Sequence, residues 1–368
     1  MIKVLYIVST LKRTGPINVV YNLIYELDKH RFEPVILTLS AENDDKTSKK
    51  ADFLNLGIAV YSLSLTRLQG IFFAKSKIKQ FIKDKGINVL HLTGLRPDLL
   101  VNASINLPTI SSIQSNIYDD YTLLYGNVIG RIAAYLHIRS LKGKSGVACS
   151  GFVASELYNR YGIALPTILN GVPSTFYTSP SADKKSNVKA HLCLTQYSKI
   201  FVSAAYFIDR KNPETIIKAF LESDPSKNSV LLMLGDGHLL NHCKNIANSN
   251  NRILFLGNVS NVSDYFTASD FYISAALSEG LPLSVMEAMA FGLPVILSDI
   301  KPHLELLEFL PNWPYRFDIR SIEQLVKSID SILYENYEDL SYKTNQVIKN
   351  HINSKIMASQ FEALYLKA

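Results

Sequence analysis

Two glutamates stand eight positions apart, one on either side of the point where a helix is predicted to begin. Glu279 lies in the loop before the helix, and Glu287 lies one turn into it, because the helix begins near Leu283. A carboxylate repels phosphate but accepts hydrogen bonds from hydroxyl groups. We therefore predict that Glu287 binds a vicinal diol such as a ribose and that Glu279 binds sugar hydroxyls. The alternative is a surface position for Glu287 and, for Glu279, only a favourable charge at a helix N-terminus.

The start of the same helix is predicted to bind an anion. The backbone N–H groups of Leu283, Ser284 and Val285 have no partner inside the helix, and the positive end of the helix dipole lies at the same place. Leu281 in the preceding loop is assigned to this donor site as well. A phosphate group is the anion that this arrangement favours.

Two apolar runs flank the loop and the helix, and both are predicted strands. The first extends from Phe271 to Ala276 and the second from Pro294 to Leu297, so residues 270–299 form a predicted β-α-β unit. The helix start then lies at the carboxyl edge of a parallel sheet, where ligands bind in α/β folds.

The segment EGLPLSVMEAMAFGLPV, residues 279–295, resembles the E-x7-E signature of the retaining glycosyltransferases of family 4. Both acids, Gly280, Pro282 and the Gly-Leu-Pro-Val exit at Gly292 stand in register. The resemblance implies the GT-B fold, an α/β architecture in which two Rossmann-like doubly wound parallel-sheet domains face a central cleft. It identifies the family but not the sugar.

The length and composition of the chain fit two well-packed domains. Its 368 residues are 47% apolar and 19% charged. The three widely spaced cysteines favour a reducing compartment. The N-terminal strand Ile2 to Val8 is too short for a signal peptide, and no apolar run approaches the roughly 20 residues of a transmembrane helix. We expect a cytoplasmic protein.

The net charge of +6 is unevenly distributed along the chain. Residues 1–172 carry 20 Lys and Arg against 12 Asp and Glu, whereas residues 173–368 carry 18 against 20. The first half is therefore predicted to meet an anionic partner. A membrane is favoured over nucleic acid because the charge accompanies apolar helix faces and no nucleic-acid motif is visible.

Two basic amphipathic helices are predicted in the first half, Ile71 to Lys85 and Gly130 to Lys144. Such a helix binds the surface of an anionic bilayer, although an ordinary sheet-covering helix with a solvated lysine face explains each of them about equally well. Together they favour peripheral binding to the inner face of the cell membrane. The apolar residues predicted to share one face of the first helix are Ile71, Phe72, Ile78, Phe81 and Ile82.

The β and α elements alternate along both halves of the chain, as in doubly wound sheets. By the resemblance, residues 1–172 form an acceptor-binding domain, residues 173–350 form a nucleotide-sugar-binding domain, and a C-terminal helix at about 351–368 crosses back to the first. The stretch from Pro173 to about Ser198 is rich in Ser, Pro, Lys and Asp, and we predict a linker there. The other predicted strands are Glu33 to Leu39, Ala59 to Leu63, Asn88 to Leu92, Ile200 to Tyr206, Val230 to Gly237 and Arg252 to Asn258.

Four residues of the first domain are site candidates. Gly15 lies in a turn after the first strand, where it either admits a ligand to the backbone or simply makes the turn. His91, Gln114 and Asn116 lie at predicted strand ends. The resemblance implies a Gly-rich donor loop at Gly15 and puts Gln114 where the family commonly has a donor-binding His. His91 and Asn116 are assigned to the acceptor side, and a structural role for His91 is at least as well supported.

Cations follow the first strand of the second domain. Arg210 and Lys211 are predicted to hold a diphosphate, and a solvated basic turn is the alternative. The resemblance implies such a clamp and matches Lys211, whereas Ala205 stands where the family has its arginine.

The nucleobase is the last part of the donor to be assigned. Backbone near Gly257, Asn258 and Val259 is predicted to contact it, which leaves UDP and GDP donors undistinguished.

These observations predict a retaining glycosyltransferase that uses no cofactor. Its expected substrates are a nucleoside diphosphate sugar and a lipid-linked saccharide of a cell-surface polysaccharide such as O-antigen or capsule, with no nucleic-acid partner. The sequence contains no Asp-x-Asp triplet, so metal independence is predicted. The alternatives are a catalytically silent nucleotide-sugar-binding subunit, suggested by Gln114 and Ala205, and a nucleotide-sugar epimerase.

Overall fold

The computed structural model describes residues 1–42, 47–101, 105–176, 180–224 and 228–367. The chain forms two compact units. Unit 1 contains Met1–Pro173 and the C-terminal segment Ser354–Ala368, and unit 2 contains Ser174–Asn353.

Strands and helices alternate through both units. The N-terminal part of unit 1 contains β1 (Ile2–Val8), α1 (Gly15–Glu26), β2 (Phe32–Thr38), α2 (Lys50–Asn55), β3 (Ala59–Ser62), α3 (Arg67–Lys85), β4 (Val89–Thr93), α4 (Leu95–Leu100), β5 (Thr109–Ile113), α5 (Ile117–Ser140), β6 (Ser145–Ala148) and α6 (Gly151–Tyr161). Unit 2 contains α7 (Ala182–His191), β7 (Lys199–Ala204), α8 (Pro213–Glu222), β8 (Ser229–Leu234), α9 (Leu240–Ala247), β9 (Ile253–Gly257), α10 (Val262–Ala268), β10 (Phe271–Ser274), α11 (Leu283–Ala290), β11 (Val295–Ser298), α12 (Lys301–Leu307), β12 (Arg316–Phe317), α13 (Ile322–Ser331) and α14 (Tyr337–Asn350). The last helix, α15 (Ser354–Lys367), belongs to unit 1.

Each unit is built on a parallel sheet. The strand orders are β3-β2-β1-β4-β5-β6 in unit 1 and β12-β11-β10-β7-β8-β9 in unit 2. The direction of progression reverses between β1 and β4 in the first sheet and between β7 and β10 in the second. Ligands of open α/β sheets bind at the carboxyl edge beside such a reversal. The predicted pair of Rossmann-like doubly wound sheets is confirmed.

Helix α3 buries a narrower face than its sequence predicts. A capping box between Thr66 and Gln69 starts it, and the buried residues Gly70, Ala74 and Ile78 face the core of unit 1. Phe72 is 75% exposed, and Ile71 is exposed as well, so the predicted apolar face does not pack as a single surface. The small residues Gly70 and Ala74 allow the helix to approach the core closely, and the larger apolar side chains beside them remain exposed to solvent.

Helix α5 folds back on itself at Gly126. This residue has φ 77° and ψ 169°, which are not helical, and a Cβ on Gly130 would lie only 2.4 Å from the carbonyl oxygen of Tyr121. The rings of Tyr121 and His137 stack with their centroids 5.8 Å apart. A straight helix would separate positions 16 residues apart by roughly 24 Å. Residues 117–125 and 127–140 are therefore two arms of a helical hairpin, where the sequence predicts a single helix over Gly130 to Lys144.

The predicted linker after Pro173 is wrong in its central part. Helix α7 occupies its centre, with Ser181 as its N-cap. The Lys185 ammonium donates to Asp270 Oδ1 at 2.7 Å and to the Ser269 carbonyl at 2.7 Å. Ion pairing rather than apolar burial holds this helix in place. Its sequence is therefore as polar as that of a linker, which is why the sequence predicts a linker. Residues 177–179 of the predicted linker lie outside the described residues.

Candidate active site

Two neighbouring strands of unit 2 bring together three of the predicted site residues. β7 pairs with β10, and the chain leaves both strands at the same edge of the sheet. Arg210 and Lys211 lie in the 3-10 turn Asp209–Lys211 that follows β7, and Glu279 lies in the loop that follows β10. The amide of Leu277 donates to the Arg210 carbonyl at 2.8 Å and ties the turn to the loop. Residues far apart in sequence thus meet at the strand-order reversal.

The three side chains form one ion cluster. Arg210 Nη1 donates to Glu279 Oε2 at 2.9 Å and to the Ser278 carbonyl at 2.9 Å. The Lys211 ammonium donates to Glu279 Oε1. Each carboxylate oxygen of Glu279 therefore has a cationic partner, a contact that the assignment of Glu279 to sugar hydroxyls did not foresee.

The cluster is partly open to solvent on its cationic side. The side chain of Glu279 is 8% exposed, whereas those of Lys211 and Arg210 are 15% and 25% exposed. Burial works to raise the pKa of Glu279, but the charges of Lys211 and Arg210 outweigh it and hold that pKa below its ordinary value. Glu279 is therefore a carboxylate at neutral pH, and its partners are cations within reach of a ligand.

The N-terminus of α11 lies in the segment after the same loop. Pro282 precedes the helix and α11 begins at Leu283, so the chain carries its orphan N–H groups directly after Glu279. The hydroxyl of Tyr272 lies 2.9 Å from Ser284 Oγ and 3.2 Å from the Ala204 carbonyl. Tyr272, which sequence reasoning missed, thus links the helix start to β10 and to the end of β7. Its apolar strand setting gave no signal of this contact.

A fully buried histidine, His303, lies close enough to the cluster to interact electrostatically with Glu279 and Lys211. His303 donates from Nδ1 to the Ser298 carbonyl at 2.9 Å, which fixes the tautomer and leaves Nε2 as the acceptor that faces Ser274 Oγ at 3.5 Å. Burial lowers the pKa of His303 to about 4, against an opposing effect of the Glu279 charge. His303 is therefore neutral at neutral pH and adds no charge near the ion cluster.

The remaining predicted donor residues occupy two places in unit 2. Leu281 is buried in the loop, and Glu287 is half-buried in the second turn of α11. Gly257, Asn258 and Val259 lie at the end of β9, where Gly257 has φ +69° and its carbonyl accepts from the Gly235 amide at 2.8 Å. All of them lie toward the carboxyl edge, but β9 is separated from β10 by two strands.

The predicted residues of unit 1 have different environments. Gln114 is half-buried, and its Oε1 accepts a hydrogen bond from Asn170 Nδ2 at 2.9 Å, so its amide N–H groups remain for other partners. Asn116 is the N-cap of α5, with Nδ2 donating to Asp119 Oδ2 at 2.7 Å, which favours a structural role. Gly15 is the first residue of α1.

His91 belongs to a buried network that attaches α15. Its Nδ1 lies 2.6 Å from the Tyr365 hydroxyl and its Nε2 lies 2.5 Å from Ser112 Oγ, and Tyr6 also contacts Tyr365 at 2.9 Å. Burial lowers the pKa of His91 to about 3. The residue is only 2% exposed, so the structure favours the structural alternative over the acceptor assignment.

Among the described residues, no group of three or more His, Cys, Asp or Glu side chains is arranged to hold a metal ion. Within the same ranges, every helix is too short or too polar to cross a bilayer.

The sequence matches a family model in unit 2. Residues 187–351 match the family described as Glycosyl transferases group 1, and this match covers less than half of the chain. The O-antigen biosynthesis glycosyltransferase WclY of Escherichia coli is 24% identical to this chain, in an alignment that covers 99% of this chain and 98% of WclY. The UDP-Gal:alpha-D-GlcNAc-diphosphoundecaprenol alpha-1,3-galactosyltransferase of the same species is 31% identical over 37% of each chain.

The fold is that of solved glycosyltransferase structures. The crystal structure of Anabaena Alr3699/HepE in complex with UDP-glucose superposes with a TM-score of 0.83 at 14% identity and covers 100% of both chains. At this identity the likeness shows the fold, which is GT-B with two Rossmann-like domains. The family match and the named relatives support a glycosyltransferase of this fold.

Proposed function

We propose that this protein transfers a sugar, with retention of anomeric configuration, from a UDP- or GDP-sugar to a lipid-linked saccharide during synthesis of a cell-surface polysaccharide. The names of the relatives, one acting in O-antigen biosynthesis and one on a diphosphoundecaprenol acceptor, support this acceptor class. By this proposal the protein works at the cytoplasmic face of the cell membrane.

The ion cluster of Arg210, Lys211 and Glu279 is the observation that carries the proposal. It lies in the unit that the family model matches, at the strand-order reversal and directly before the start of α11. A diphosphate needs cations and aimed N–H donors, and both occur here. Glu279 orients the two cations and accepts hydrogen bonds from the donor sugar.

Leaving-group stabilisation follows from the same residues. Arg210, Lys211 and the N–H groups of Leu283 and Ser284 are fixed charges and dipoles beside the place where negative charge grows as the sugar–phosphate bond breaks. These groups supply the positive charge without a metal ion, so the proposed reaction is metal-independent. Glu287 binds the ribose, and backbone at the end of β9 contacts the base.

Retention is proposed to follow from attack on the face that the diphosphate leaves. The bond between the anomeric carbon and the phosphate oxygen breaks, the acceptor oxygen bonds to the same carbon, and the acceptor proton moves to a diphosphate oxygen. The Gln114 amide, held by Asn170, can donate a hydrogen bond but cannot transfer a proton, so no step of this scheme uses it as an acid.

Paired substitutions test the assignment. We expect Lys211→Ala to lower kcat/KM about 100-fold or more with UDP- or GDP-sugars, because one charged donor to the leaving group is lost. Lys218→Ala is the matched control, since Lys218 also pairs with a glutamate of unit 2, on the surface of α8. Proton NMR of the product's anomeric proton then reports whether configuration is retained. Equal activity of Lys211→Ala and Lys218→Ala would contradict the proposal.

A catalytically silent nucleotide-sugar-binding subunit is the second candidate. It is favoured by Gln114 and Ala205, neither of which carries the charge expected of the family at these positions. Calorimetric titration with UDP and GDP, followed by a donor screen, separates the two functions. Binding without turnover for every donor would support the silent subunit, and isomerisation of a donor incubated alone would support an epimerase.

A further inference from the structure

The α5 hairpin presents an apolar surface to solvent at its turn. Leu124 is 70% exposed and Val128 is 72% exposed, although monomeric proteins usually bury such side chains or scatter them singly. Six exposed apolar residues occur within ten positions around the turn at Gly126. We name this set the hairpin tip: Leu123, Leu124, Tyr125, Val128, Ile129 and Ile132.

A second exposed apolar set lies on the first turns of α3. α4 lies between the two sets, because Arg96 of α4 reaches Gly70 of α3 and Asp98 of α4 accepts a hydrogen bond from His137 of the hairpin at 2.9 Å. Leu99 of α4 is exposed as well. The exposed apolar residues of α3 are Leu68, Ile71, Phe72 and Phe73.

The charges within the stretches that carry these sets are all positive, whereas the acids of the same helices lie outside them, Asp84 at the end of α3 and Asp119 and Asp120 in the first turn of α5. Residues 67–83 and 121–144 contain no Asp or Glu, and both stretches contain several Lys and Arg. An apolar surface flanked by cations complements an anionic bilayer. The acyl chains contact the apolar side chains, and the headgroup phosphates pair with the cations. A second copy of this chain would bring cations against cations. The cationic residues available to headgroups are Arg67, Lys75, Lys77, Lys79, Lys83, Arg131, Arg139 and Lys142.

The hairpin is held rigidly behind its tip. Asp98 is fully buried and binds Ser111 at 2.7 Å, His137 and Lys144, while His137 Nδ1 lies 2.7 Å from the Tyr121 hydroxyl. The close approach at Gly130 sets the two arms against each other. The tip is therefore a preorganised projection of unit 1.

We propose that the hairpin tip inserts into the headgroup and acyl boundary of an anionic bilayer, with the exposed turns of α3 beside it. The depth expected of an interfacial helix is roughly 5–10 Å. This inference deepens the proposed function, which places the acceptor in a membrane, and it differs from the sequence expectation because apolar insertion rather than lysine adsorption dominates binding.

Vesicle binding of the full chain tests this inference without any sugar donor. We expect co-sedimentation with phosphatidylcholine vesicles that contain phosphatidylglycerol, and substantial binding that persists in high salt. The double variant Leu124→Glu with Ile129→Glu should lower the partition coefficient about 100-fold, roughly tenfold for each lost apolar side chain. Leu54→Glu, an exposed leucine of α2 outside the tip, is the matched control and should bind as wild type does.

A fluorescent reporter measures insertion directly. The single native tryptophan, Trp313, is buried in unit 2, so Val128→Trp adds a signal at the tip. We expect a blue shift of its emission on vesicle addition and quenching by lipids brominated near the headgroup end of the acyl chain.

Three results would overturn the inference. They are equal binding by the double variant and wild type, complete release by salt alone, or a dimer by light scattering that the double variant dissociates while neither protein binds vesicles. Vesicle binding without sugar transfer would leave this inference intact and count against the proposed function, and transfer without vesicle binding would do the reverse. Circular dichroism melts of each variant confirm that it is folded.

Discussion

Glu279 in unit 2 and Asp98 in unit 1 are both buried carboxylates with two basic partners, yet their surroundings differ. Asp98 is fully buried, and its partners His137 and Lys144 are each only 4% exposed. The partners of Glu279 are 15% and 25% exposed, and both lie in a 3-10 turn at a sheet edge. The two acids are buried to a similar degree, but their basic partners differ in exposure.

This difference separates a structural cluster from a candidate active site. Basic side chains that are sealed in with their acid have no path to a ligand, so the Asp98 cluster fixes the α5 hairpin to α4. Cations that reach solvent beside a helix N-terminus are available to a diphosphate. Partner exposure therefore discriminates better between the two roles than burial of the acid does.

The largest effect is a loss of stability on removal of Asp98, the buried acid of unit 1. Asp98→Ala leaves His137 and Lys144 buried without their acid, and the free energy of unfolding should fall by about 3–5 kcal/mol. Urea unfolding followed by circular dichroism measures this, with Asp84→Ala on the exposed end of α3 as the control. An Asp98→Ala variant as stable as wild type would contradict the structural role assigned to the Asp98 cluster.

Glu279→Gln should separate activity from stability. Gln keeps the shape but not the charge, so the two cations lose their orientation and kcat/KM should fall about 100-fold. The free energy of unfolding should change by only about 1–2 kcal/mol, since water reaches Arg210 and Lys211. Glu214→Gln, which alters a more exposed lysine-paired glutamate on α8, is the control. A large loss of stability with normal turnover would reverse the assignments of the two clusters.

Acid should weaken unit 2 through His303. Its pKa is lowered from 6.5 to about 4 by burial, so below pH 6.5 the unfolded chain binds a proton that the folded chain excludes. Stability is therefore retained above pH 6.5 and falls as the pH drops toward 4, by about 2 kcal/mol between pH 6.5 and 5. Unfolding of wild type and His303→Gln at several pH values checks this. Parallel pH profiles of the two proteins would show that His303 is not excluded from protonation.

The smallest effect concerns the edge of the sealed cluster. Tyr121→Phe removes the hydroxyl that meets His137 but keeps the stacked ring, so the free energy of unfolding should fall by about 1 kcal/mol. Vesicle partitioning should stay as in wild type, because the hairpin tip is unaltered. A loss comparable to that of Asp98→Ala would mean that the hydroxyl is as important as the acid.

Much of the fold was predictable from local pattern. Strands buried on both faces are continuous apolar runs, and β1 and the predicted strand Ile2 to Val8 have the same bounds. Local pattern failed where tertiary contacts override composition. The polar helix α7 is held by Lys185 and Asp270, which lie 85 positions apart, and no window of sequence contains both.

The site was predictable in its residue types but not in its pairing. Spacing around Gly280 and Pro282 predicted the loop, the helix start at Leu283 and the positions of the two glutamates. The contact of Glu279 with Arg210 spans 69 positions, and the role of Tyr272 depends on which strands are neighbours. Neither could be inferred before the strand order was known.

The sequence by itself determined the alternation of strands and helices and the residues of the donor-site loop, because hydrophobic period and turn chemistry act over short distances. Only the tertiary structure decided which buried acid has solvent-accessible cations and which apolar side chains stay outside. Exposure depends on what packs against a residue from distant parts of the chain. Phe72 and Ile78 have the same character in sequence, and only Ile78 meets the core.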